Sequence, residues 1–68
     1  MKYGLKMKLR RIELGKTQIQ LREESKASLN TIVALEKGDI DGVRVKTLKK
    51  IAKALNSTVS ELFFSNEQ

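Results

Sequence analysis

Two helix-opening hydroxyls a short distance apart constrain this chain more than any other feature. Thr17 begins Thr-Gln-Ile-Gln, a capping box with Gln20 in which the hydroxyl and the amide each satisfy an orphan backbone N–H. Ser28 opens a second helix, and Gly38 stands beyond its end, where a left-handed cap is favoured. The spacing predicts one helix from Gln18 to about Glu24 and another from Leu29 to Lys37. Only about three residues lie between them, so the two cross steeply.

Helices joined in this way form a helix-turn-helix, whose second member is shaped to enter the major groove of DNA. A helix is expected before the pair, from Leu5 to Leu14 with Gly15 as its stop. Gly38 to Val43 reads as a loop holding the turn-favouring Asp39 and Asp41. A fourth helix spans Val45 to Leu55 and ends at Asn56, with Val45, Leu48, Ile51, Ala52 and Leu55 on one side and Lys46, Lys49, Lys50 and Lys53 on the other. A second capping box, Thr58 with Glu61, opens a fifth helix through Leu62, Phe63 and Phe64, and Ser65 to Gln68 are expected to fray. The fold class is therefore all-α: five helices in one domain over residues 1–68, with a core of about 5–64.

Composition narrows the means of support. A chain of 68 residues buries only about 60% of its unfolded surface. It has no cysteine and no histidine, which removes disulfides and the usual zinc sites, and no metal or cofactor is expected. Helix packing has to hold it, with dimerisation as a further aid. The formal charge is +6. Lys2, Lys6, Lys8, Arg10, Arg11, Lys16 and Arg22 face a single acid, Glu13, in the first third, while Arg44, Lys46, Lys49, Lys50 and Lys53 face none. Such a bias suits a polyanion, and nucleic acid ranks ahead of a membrane surface because no helix joins a basic face to large aromatics. No apolar run reaches the length of a signal segment or a membrane span, which implies a cytoplasmic location. Catalysis would need a placed His, Cys or carboxylate pair in a pocket, so no enzyme and no catalytic residue is expected. Asp39 and Asp41 lack the further ligands of a calcium loop.

The order Arg11-Ile12-Glu13-Leu14-Gly15, Thr17-Gln18 with Leu21, Ser28 with Ile32, Leu35, Glu36 and Gly38, then Thr47 to Leu55 followed by Val59, Glu61 and Leu62, resembles the phage repressor and Cro-like family. This is also called the xenobiotic-response-element family of bacterial and phage regulators. The likeness runs from about Met7 to Phe64. It implies a five-helix lambda-repressor-like DNA-binding domain that acts as a homodimer on double-stranded DNA, most often as a transcriptional repressor. By this resemblance Leu29, Asn30, Val33 and Ala34 meet base edges. Asn30 suits adenine, and the apolar three suit thymine methyl groups. Thr17, Gln18, Ser28, Lys37, Arg44 and Lys46 are expected at the phosphate backbone; Gln18 sits where free N–H groups and the positive dipole end attract a phosphate. Arg11 and Glu36 are expected to pair as a partly buried salt bridge. Val43, Val45, Val59, Phe63 and Phe64 exceed what a small core needs and are the expected dimer interface.

Some positions depart from the family pattern. Arg22 stands where a small alanine is usual and is expected to snorkel. Lys26 replaces the turn glycine, and Asp39 with Asp41 occupies a loop that often carries lysines. The first helix is apolar on two sides, with Leu5, Leu9 and Ile12 on one and Met7 with Leu14 on the other; burial of both in the core is the expectation. The apolar character of the first and third helices also admits another function, that of an antirepressor or modulator of the same fold that binds a larger repressor protein.

Overall fold

The structure, a computed structural model, describes residues 4–64; the expected fraying of the tail lies outside them. Five helices follow in order: α1 (Gly4–Glu13), α2 (Gln18–Ser25), α3 (Leu29–Glu36), α4 (Val45–Ala54) and a last, π-wound segment α5 (Ser60–Phe64). Each of the first four lies within a residue or so of its expected bounds. Packing pairs α1 with α3 and α5, and α2 with α3 and α4. The result measures 32 × 26 × 18 Å.

The caps operate as their chemistry requires. Thr17 Oγ1 accepts from the Gln20 N–H at 3.0 Å and Gln20 Oε1 accepts from the Thr17 N–H at 2.8 Å, so both halves of the box are formed. Ser28 Oγ accepts from the Thr31 N–H at 3.1 Å and donates to Thr31 Oγ1 at 2.8 Å. At the second box Thr58 Oγ1 accepts from the Glu61 N–H at 3.1 Å, while the Glu61 carboxylate takes the Ser57 hydroxyl at 2.9 Å. The Ser57 hydroxyl first, then the Thr58 backbone N–H, holds the Glu61 carboxyl below its ordinary range.

Between α2 and α3 the chain turns in very little space. Lys26 adopts a left-handed φ of 65° and its N–H returns to the Arg22 carbonyl at 2.9 Å, while Ser25 and Ala27 on either side are buried. A Cβ in this region costs about 1 kcal/mol that glycine does not incur. Lys26→Gly is therefore expected to stabilise the domain by up to about 1 kcal/mol, less what glycine loses through unfolded-state entropy. Urea denaturation of the two proteins measures it, and no gain in midpoint would show that the turn is relaxed.

The core is built from every helix: Met7, Leu21, Ala27, Ile32, Leu35, Leu48, Ile51, Ala52, Leu55, Leu62 and Phe63 are buried, with Leu14, Ile40, Val43, Ala54 and Val59 packed around them. Leu21, Ile32 and Leu35 lock α2 against α3, as their spacing suggests. The approach of α1 to α3 is closer still. A Cβ on Gly4 would lie 1.9 Å from the Leu35 carbonyl oxygen and 2.5 Å from the Glu36 carbonyl carbon. Only glycine admits that contact.

Two expectations are corrected here. Leu5, Leu9 and Ile12 are not buried but about half exposed, because Met7 and Leu14 already supply the inward face of α1 and no described element covers the outer one. Phe63 is only 2% exposed and anchors α5 in the core, so it does not offer surface to a partner; Phe64 beside it is 56% exposed. Arg22, at the position of the family's alanine, is exposed, with its guanidinium 3.9 Å from Glu23.

Candidate nucleic-acid interface

The solvent side of α3 is set by the burial of its other side. With Ile32 and Leu35 inward, Asn30 is exposed and Leu29, Val33 and Ala34 are half-buried along the outer surface, while Lys37 caps the helix and is exposed. Asn30 is available to offer its paired donor and acceptor outward. Ser28, at the N-cap, is exposed beside it.

The start of α2 reaches the same surface. Thr17 is exposed, and its hydroxyl is engaged in the cap. Gln18 is half-buried and its Nε2 donates to Glu36 Oε1 at 3.1 Å. A carboxamide nitrogen carries two hydrogens, so this bond fixes the side chain's orientation and leaves the second hydrogen for another acceptor. Glu36 also meets Arg11 in a two-pronged pair, Nε to Oε2 at 2.7 Å and Nη2 to Oε1 at 3.1 Å. Arg11 Nη1 donates to the Lys16 carbonyl at 2.8 Å. The side chains of this pair are 12% and 5% exposed, so the expected partly buried salt bridge between the first helix and the end of the third is present in the structure. It links α1, α2 and α3 through one carboxylate.

These residues border an open groove of about 310 Å³, lined by Lys8, Arg11, Gln18, Val33, Glu36 and Lys37. Glu36 is neutralised by Arg11, which leaves the exposed Lys8 and Lys37 as the positive charges at its edges. Lys8 was missed by reading the sequence. The available signal was its position three residues before Arg11, which places both on one side of α1. Arg44 and Lys46, the remaining expected phosphate contacts, are exposed at the opening of α4.

Other basic residues turn out to be structural. Arg10 Nε donates to the Leu55 carbonyl at 2.9 Å and its Nη2 to that of Asn56 at 3.4 Å, while Lys16 Nζ donates to the Ala54 carbonyl at 2.9 Å and pairs with Glu24. Two cations thus close the C-terminal end of α4, where carbonyls lack partners and the helix dipole is negative. Asp39 and Asp41 are exposed in the loop before α4. Among the described residues no group of His, Cys, Asp and Glu side chains is arranged to hold a metal ion, and no helix is long and apolar enough to cross a membrane.

A family model described as "Helix-turn-helix" matches residues 7–62, most of the chain. The chain belongs to this helix-turn-helix family, of the Cro and phage-repressor type, a family of DNA-binding transcriptional regulators. Among curated proteins no match is found. Among solved structures, one described as "Crystal Structure of Apo-HppE" superposes with a TM-score of 0.77 at 21% identity, over 90% of this chain and 34% of that one. At that identity the likeness concerns the fold alone, and this chain spans about a third of the length of that protein.

Proposed function

We propose that this protein is a sequence-specific double-stranded DNA-binding regulator that acts as a homodimeric repressor, with α3 in the major groove. The observation that carries this reading is the division of α3 into a buried side and an outward side bearing exposed Asn30 with Leu29, Val33 and Ala34. Base edges are read by Asn30, and the apolar neighbours meet thymine methyl groups. Thr17, Gln18, Ser28, Lys37, Arg44 and Lys46 position the helix on phosphates, with Lys8 as an addition from the groove. Two copies of α3 would stand about 34 Å apart, one turn of B-DNA, joined through the C-terminal region. Exposed Val45 and Phe64 and half-buried Val43 and Val59 support that surface, whereas Phe63 does not.

The test separates base reading from positioning. Asn30→Ala is expected to cost about 1–3 kcal/mol on a duplex selected from a random pool and little on a scrambled one. Gln18→Ala is expected to weaken both alike. Glu36 keeps its Arg11 pair in the second variant, so circular dichroism should show both proteins folded. Equal losses of Asn30→Ala on the two duplexes, or none, would remove α3 as the reading element.

A further inference from the structure

Glu36 is an acid beside the surface read here as meeting a polyanion, and its carboxylate is fully engaged. Its Oε2 accepts from Arg11 Nε at 2.7 Å, while its Oε1 accepts from both Arg11 Nη2 and Gln18 Nε2, each at 3.1 Å. With the side chain 5% exposed, packing as well as bonding sets where these oxygens lie. A carboxylate that holds an arginine by two prongs is ionised and accepts only. It therefore decides which end of the Gln18 amide turns toward it. The nitrogen is held, and a flipped amide would set oxygen against oxygen.

We propose that Glu36 is a positioning residue for duplex binding: it aligns the Gln18 amide so that the second Nε2 hydrogen meets a phosphate oxygen at the groove between α1, α2 and α3. This rests on the reading of Gln18 as a phosphate contact. Both residues line that groove, with Lys8 and Lys37 at its edges. Arg11 makes an acid tolerable there, because it cancels the charge that would otherwise repel the phosphate. A glutamine left free to rotate would be ordered only on binding, and ordering so long a side chain opposes association. Held by Glu36, it is ordered before the duplex arrives. An acid on this face thus strengthens the grip on a polyanion.

The sign of the effect makes this testable. Glu36→Gln removes a negative charge, and by net charge alone it would raise affinity for any duplex. Affinity is expected instead to fall about fivefold to tenfold, on selected and scrambled duplexes alike, because a phosphate carries no sequence. The experiment is a cycle of Gln18→Ala, Glu36→Gln and the double variant in the whole 68-residue chain, read by fluorescence anisotropy on both duplexes. Once Gln18 is alanine, Glu36→Gln is expected to add no further loss. A carboxylate with a structural role alone would lower affinity by the same factor in either background.

Glu36→Gln leaves the Arg11 guanidinium without its counter-charge and costs stability, so Arg11→Met with Glu36→Leu is measured in parallel. That pair keeps the net charge and restores an uncharged contact. Circular dichroism is expected to show it folded, with duplex affinity still about fivefold to tenfold low when Gln18 is present and equal to that of Gln18→Ala when it is not. Equal or higher affinity of the Glu36 variants would overturn the proposal, as would losses of the same size with and without Gln18. If Gln18→Ala weakens both duplexes while the Glu36 variants do not, the positioning role falls and the phosphate contact stands. If Gln18→Ala changes nothing, both fall together.

Discussion

Replacing Arg11 with methionine is expected to destabilise the domain by about 3 kcal/mol, because it leaves the Glu36 carboxylate buried with Gln18 as its remaining side-chain donor. A domain of this length holds about 3–10 kcal/mol in all, so the variant should lose roughly 15 °C in Tm. The cost comes from the orphaned charge, not from the worth of the pair. Accordingly Arg11→Met combined with Glu36→Leu should recover much of the loss. Thermal and urea melts of the two singles and the double complete the cycle. A loss below about 0.5 kcal/mol for Arg11→Met would mean that water reaches Glu36 and that the bridge behaves as a surface pair.

The second large effect distinguishes two adjacent phenylalanines. Phe63→Ala is expected to cost about 3–5 kcal/mol, since a fully packed ring is removed from between α5 and the core. Phe64→Ala, at an exposed position, should change stability by no more than about 0.5 kcal/mol. If the C-terminal region forms the dimer proposed above, Phe64→Ala weakens self-association in sedimentation equilibrium while the monomer's denaturation midpoint holds. Comparable stability losses in both variants would show that α5 packs differently from its described form.

Much of the scaffold was legible because it is local. Thr17 with Gln20, and Ser28 ahead of α3, are recognisable from which atoms can reach a free N–H within one turn. The inward positions of Leu21, Ile32 and Leu35 follow from helical periodicity. The Arg11–Glu36 pair came from the family's spacing, and the turn at Lys26 from the family's glycine. What escaped reading depends on contacts between distant segments. Nothing in the local sequence of Arg10 or Lys16 says that the carbonyls ending α4 will lie beside them. A pair of successive phenylalanines carries no period, so Phe63 and Phe64 could not be separated into core and surface. The two-sided apolarity of α1 was visible, but which side a small core would leave uncovered required the packing of α5 and α3 to be known.

The close contact at Gly4 sets a trap for anyone wishing to make this protein more robust. Taken by itself, a glycine in the first turn of a helix invites replacement by alanine, a gain of up to about 1 kcal/mol on intrinsic helix preference. Here any side chain would collide with the carbonyl end of α3. Sequence-based stabilisation schemes, which score each helix alone, would select that substitution and in doing so push α1 away from the helix it braces.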